Sequence, residues 1–194
     1  MARQASMRVM GTVRALPTSG WLRLAVIACA AMAVALALLA HVLAPAPDRA
    51  QALVGHAAPP FSAPAAQGGK PLTQPVSFDG HATHATLLVF FDTLCVHCLA
   101  GVQTARALTQ APDQPLLNVM YIDAPGENAE ITGQYMARLQ FDPPVLLDHG
   151  ARIASRYGVA YYPSFVLVDT QGIVRAVWTG TPTASQIRAA TAQG

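Results

Sequence analysis

Apolar positions along this chain fall into stretches of distinct kinds. From Leu24 to Leu43 every residue but His41 is apolar, and that length suits a helix crossing a bilayer. Further on the apolar runs are short. Leu87-Leu88-Val89-Phe90-Phe91, Leu116 to Ile122, Val145-Leu146-Leu147 and Phe165 to Val168 have the length and composition of buried strands. Ile173 to Trp178 pairs with the last of them as a hairpin turning at Asp169-Thr170-Gln171-Gly172. The intervening stretches predict helices: Leu99 to Leu108, broken only by Gly101; Asn128 to Leu139, after Gly126; and Ala151 to Tyr157, stopped by Gly158. A capping box, Thr183-Ala184-Ser185-Gln186, opens a last helix. Strand and helix alternate and the chain closes on a hairpin plus helix, which is an α/β class with a mixed central sheet flanked by helices.

Between the long apolar stretch and the first strand, Pro45 to Pro75 is rich in Ala, Pro, Gly and Gln and reads as a tether followed by an irregular lead-in. The expected division is therefore a cytoplasmic N-terminus over 1–23, a transmembrane anchor over 24–43, a tether over 44–53 and a packed domain over 54–194. Arg3, Arg8, Arg14 and Arg23 precede the anchor with no acidic residue among them, so the positive-inside rule leaves the N-terminus in the cytoplasm and exports everything after Pro45. Trp21 stands at the cytoplasmic edge, as interfacial aromatics do. A cleaved signal peptide is the rival reading, with Ala44-Pro45-Ala46 as a weak small-residue site, but the apolar run is longer than a usual signal core. Cys29 lies inside the anchor and reads as a small apolar residue rather than a lipidation site, because Arg23 leaves no apolar region ahead of it.

Charge adds little about partners. Four of the 12 basic residues lie before the anchor, leaving eight against 10 acidic residues in the exported part, a net of −2. No nucleic acid is implied. The expected place, a bacterial inner membrane with the domain in the periplasm, matters more, since a dithiol in an oxidising compartment is either an oxidant or is kept reduced by a dedicated electron supply.

That dithiol is Cys95-Val96-His97-Cys98. Following a strand and preceding a helix, Cys95 faces the unsatisfied N–H groups and positive end of a helix dipole, which lower a thiol's pKa. Cys98, one turn on, is placed to resolve a mixed disulfide. The same spacing is half a zinc site, but Cys29 is the only other cysteine and no His-x3-5-His pair follows, so no metal is expected.

The domain resembles the thioredoxin superfamily, in particular the membrane-anchored TlpA/ResA/CcmG-like thiol-disulfide oxidoreductases of bacterial envelopes. Residues carrying the resemblance run from Val54 to the C-terminus: Val54-Gly55, Pro59-Pro60-Phe61, the Cys-x2-Cys pair after a strand, Pro144-Val145-Leu146-Leu147-Asp148, Tyr157-Gly158-Val159-Ala160-Tyr161-Tyr162-Pro163-Ser164-Phe165, Asp169 and Gly172, and Thr179-Gly180. The resemblance implies a thioredoxin-like fold and a redox-active Cys95–Cys98 disulfide with no other cofactor. It implies a monomer acting on protein thiols or disulfides, such as apocytochrome c or copper-site cysteines, and reduced by a membrane donor of the DsbD/CcdA kind. By the same resemblance Pro163 is a cis-proline facing the thiols, Tyr162 offers its backbone to an extended substrate segment, and Glu127 is a carboxylate near the buried cysteine, able to take its proton. Glu127 has a plainer reading as a first-turn acid on a helix dipole.

Departures from the family pattern touch specificity and direction. Leu94 stands where members carry Trp, changing the substrate surface beside the nucleophile. His97 beside the resolving cysteine is similar to DsbA-type oxidases, where that histidine stabilises the thiolate; a solvent-exposed bystander is the alternative. A disulfide oxidase therefore remains open beside the reductase, as does a Sco-like copper chaperone, though the spacing is Cys-x2-Cys and His149 has no reason to meet the thiols. The residues ahead of Cys95, Phe90-Phe91-Asp92-Thr93-Leu94, do not form the Pro-x3-Thr-x2-Cys pattern of a peroxidatic cysteine. His81, His84 and His149 have no motif around them.

Overall fold

The computed structural model describes residues 20–43, 49–110, 117–126 and 128–192. The chain forms two compact units, Met1–Pro45 and Ala46–Gly194.

Within the first unit, Gly20–Leu43 is a single α-helix of 24 residues, α1. Its described side chains run from 24 to 39, and Leu24, Val26, Ile27, Met32, Val34, Leu36, Leu38 and Leu39 are all exposed. Among the described residues no helix is long and apolar enough to cross a membrane.

In the second unit a short 3-10 turn, Gln51–Leu53, precedes β1 (Phe61–Ala63), β2 (Ala65–Gln67), β3 (Lys70–Pro71) and β4 (Val76–Phe78). Then come β5 (Ala85–Phe91), α2 (Cys98–Gln110), β6 (Leu117–Asp123), α3 (Ala129–Arg138) and β7 (Val145–Leu147). A 3-10 turn over His149–Ala151 leads into α4 (Arg152–Arg156), followed by β8 (Ser164–Val168), β9 (Val174–Thr179) and α5 (Ala184–Thr191). Seven strands make one sheet in the order β3-β2-β7-β6-β5-β8-β9, and β1 and β4 pair separately. β5 sits inside the large sheet, parallel to β6 and antiparallel to β8. Helices over both faces explain its unbroken apolar sequence: Leu88 and Phe90 enter one core cluster, while Leu87, Val89 and Phe91 enter the other together with Cys98.

The thioredoxin-like α/β fold with a mixed sheet is the one expected from the sequence. Local signals hold as well. Asn128 caps α3, its Oδ1 accepting from Ile131 N–H at 2.9 Å, and Thr183 and Gln186 form the capping box of α5.

The lead-in before β5 differs from its irregular reading. Four strands of two or three residues lie in it, too short for apolar alternation to register. They belong to the core: Phe61, Ala63, Ala65 and Phe78 are buried. Phe61 lies edge-on to Tyr157, which stacks at a tilt on Phe90, and the Tyr157 hydroxyl donates to the Pro59 carbonyl at 2.8 Å. The turn between β2 and β3 also presses on α3: a Cβ on Gly133 would lie 2.3 Å from the Gly69 Cα, so only glycine allows that approach.

Candidate dithiol site

β5 ends at Phe91 and the chain turns before re-entering a helix. Asp92 builds the turn, its Oδ1 accepting from Leu94 N–H at 2.7 Å while its carbonyl accepts from Cys95 N–H at 3.0 Å. Cys95 lies in this turn, and Cys98, whose N–H donates to the Cys95 carbonyl at 3.1 Å, is the first residue of α2. The nucleophile candidate thus stands just ahead of a helix N-terminus, where unpaired N–H groups favour negative charge.

The two thiols have different surroundings. Both are free, Cys95 half-buried and Cys98 fully buried. Burial pushes the Cys98 thiol up from 9.0 to about 12, helped by the hydrogen bond with Cys95 and the charges of Cys95 and Asp92, while the Asp92 backbone opposes the rise. Ionising Cys98 is therefore harder than ionising an ordinary thiol. Around the pair the surface is apolar and open, with Leu94 76%, Val96 85% and Tyr161 72% exposed. His97 is also exposed.

On the other side stands the loop before β8. The Tyr162-Pro163 peptide is cis, Pro163 is buried, and the Tyr162 carbonyl accepts from the Cys95 thiol at 3.6 Å. Gly101 on α2 holds the helix against this loop: a Cβ there would lie 3.2 Å from Phe165 Cζ and Thr181 Oγ1 and 3.3 Å from Pro163 Cβ. The structure thus brings Cys95, Cys98, Tyr162 and Pro163 together, with Leu94 and His97 in the same turn. Glu127 lies outside the described residues.

Three elements of the site carry no sequence motif. Asp123, fully buried at the end of β6 and level with Phe91, accepts from Thr132 Oγ1 at 2.5 Å. Tyr135 on α3 stacks on Phe91 with ring centroids 6.2 Å apart and packs, as Cys95 does, against the cluster that holds Cys98. Its hydroxyl and the Thr93 Oγ1 are buried without a hydrogen-bond partner. Helical periodicity could have marked Tyr135 as inward-facing, but nothing in the sequence marks its hydroxyl as left without a partner. His81 and His149 are exposed and His84 half-buried, and among the described residues no cluster of three or more metal-ligating side chains exists.

The profile of the AhpC/TSA family matches residues 54–177. No curated protein matches the sequence. Among solved structures the chain is similar to a reduced 2-Cys peroxiredoxin of Plasmodium vivax, with TM-score 0.59 and 18% identity over 73% of this chain and 95% of that one. It is also similar to StoA of Bacillus subtilis, with TM-score 0.55 and 15% identity over 69% and 97%. A third likeness is to a secreted Mycobacterium tuberculosis disulfide oxidoreductase homologous to DsbE of E. coli, with TM-score 0.51 and 16% identity over 77% and 100%. At these identities the likeness is one of fold.

Proposed function

The chain belongs to the AhpC/TSA family, thioredoxin-like in fold and a thiol-disulfide oxidoreductase by class, and we propose that it reduces disulfides in envelope proteins through Cys95 and Cys98. Cys95, half-buried before α2 and beside the Tyr162 carbonyl, attacks a substrate disulfide and forms a mixed disulfide. Cys98 then attacks the Cys95 sulfur. The Cys95–Cys98 bond forms, the substrate sulfur leaves as a thiol, and two electrons have passed from the dithiol to the substrate. Glu127 is the proposed acceptor for the Cys98 proton, and His97 the proposed stabiliser of thiolate charge.

The observation that carries this reading is the asymmetry of the pair, one thiol reachable and one fully buried and hard to ionise. An entering disulfide meets Cys95 first, and Cys98 reacts only within the mixed disulfide. Leu94, Val96 and Tyr161 give an apolar rim against which an unfolded, cysteine-bearing segment can lie, pairing its backbone with that of Tyr162. Such segments include the haem-site cysteines of apocytochrome c and copper-site cysteines.

Anchoring by 24–43 with the domain in the bacterial periplasm belongs to the same proposal, supported by the apolar run from Leu24 to Leu43 in the sequence and the arginines ahead of it. A membrane donor of the DsbD/CcdA kind would then return the pair to the dithiol, and the domain would act as a monomer.

Equilibrating the Cys95–Cys98 pair against glutathione or dithiothreitol buffers tests the direction. A potential near or below about −230 mV supports the reductase; one near about −120 mV makes the protein an oxidase and moves His97 to the centre of the mechanism.

A further inference from the structure

Cys98 poses a chemical difficulty that the mechanism leaves open. It must carry negative charge as it attacks, yet it is fully buried, and the acidic groups around it oppose ionisation. From its own turn it faces Cys95 and Asp92. Tyr162, before β8, and Tyr135, on α3, both pack against the cluster that holds it, and the charges of Asp92 and Asp123 act on both. No lysine or arginine is among these groups. A buried thiolate without a cation needs hydrogen-bond donors instead.

One donor is unspent. The Tyr135 oxygen is buried and has no hydrogen-bond partner, a state that costs a protein stability and that native structures mostly avoid. Stacking on Phe91, the last residue of β5, fixes the ring, and the side chain, like Cys95, packs against the core cluster that contains Phe91 and Cys98. We propose that Tyr135 is a hydrogen-bond donor to the Cys98 sulfur, spending its idle O–H when that sulfur ionises to resolve the mixed disulfide. The phenol keeps its proton throughout, since burial and the neighbouring Cys98, Cys95, Asp123 and Asp92 push its ionisation upward. In the step itself the Cys98–Cys95 bond forms as the bond from Cys95 to the substrate sulfur breaks. The proton lost by Cys98 passes to Glu127, its proposed acceptor, and from there to the departing sulfur, and Tyr135 supplies none.

The inference rests on the dithiol mechanism above and is tested apart from it. In the full-length chain, with Cys29→Ala so that only the pair reacts, Cys95 is loaded with 5-thio-2-nitrobenzoate and release of that chromophore is followed by stopped flow. Tyr135→Phe should slow release about tenfold or more near pH 7 and move the midpoint of its pH profile upward. The same substitution deletes an unpaired buried hydroxyl, so thermal stability should hold or rise. An unchanged rate and pH profile overturn the role of Tyr135 and leave the dithiol mechanism standing. A uniform slowing with no shift of the profile also overturns it, as the mark of altered packing. Exchange surviving Cys95→Ser would instead remove the mechanism beneath both.

Discussion

The Cys95 thiol donates to the Tyr162 carbonyl at 3.6 Å, joining two residues that stand 67 positions apart. The attacking sulfur and the backbone that would receive a substrate strand are therefore one surface. A peptide paired with Tyr162 as proposed would bring its own sulfur to Cys95.

Replacing either cysteine should separate the two halves of the reaction. Cys95→Ser is expected to lower disulfide exchange by ~100-fold or more, because a hydroxyl at neutral pH is not a comparable nucleophile. Cys98→Ser should leave the first attack intact and accumulate mixed disulfides, seen as non-reducing gel shifts that disappear with dithiothreitol.

Stability should depend on pH differently in the two redox states. The Cys98 thiol is raised in the folded protein from 9.0 to about 12, by burial first and then by Cys95. Between those values the unfolded chain has released the proton and the folded one has not, so stability present below about pH 9 is lost as pH rises. The oxidised form has no such proton. Melting temperatures measured from about pH 7 to pH 10 should show the reduced form losing stability relative to the oxidised form above about pH 9; parallel curves would refute the burial argument.

Asp92 offers a test of the charges around the resolving sulfur. Its carboxylate opposes ionisation of Cys98, while its Oδ1 holds the turn through Leu94 N–H. Asn keeps the acceptor and removes the charge. Asp92→Asn is thus expected to lower the apparent pKa of resolution by up to about one unit and speed the step a few-fold near neutral pH. A slower step would move the proton-acceptor role from Glu127 to Asp92.

Gly101→Ala sets helix propensity against packing. Alanine gains about 1 kcal/mol in a helix interior, but its Cβ would crowd Pro163, Phe165 and Thr181 at 3.2 to 3.3 Å, and overpacking costs about 1–3 kcal/mol. The crowded atoms on Phe165 and Pro163 belong to buried residues. A net loss of about 1 kcal/mol in denaturant unfolding is expected, together with slower exchange as α2 is pushed off the proline loop. Wild-type stability would mean that the loop yields.

Much of this fold could be read because its signals are local. An apolar run buried on both faces marks β5, Gly126 and Asn128 mark the start of α3, and a capping box marks α5. Residues 61–78 gave no such signal, since strands of two or three residues owe their existence to partners far along the chain, as Ala65 does to Leu146. The site divides the same way. Cys95 and Cys98 are marked by their spacing and Pro163 by the family resemblance, whereas Tyr135 packs against the cluster that holds Cys98 only because α3 and the end of β5 are folded against each other.

That same folding sets where the chain can be shortened. Gly69 and Gly133, neither with a side chain, let the β2–β3 turn seat against α3, two positions from Tyr135. A chain begun after Pro75 would keep Cys95 and Cys98 yet lose the surface on which that helix rests. The earliest sixth of the domain is in this sense a foundation for chemistry performed elsewhere, and a trimmed version would be expected to fail first in the alignment of its second thiol rather than in the reach of its first.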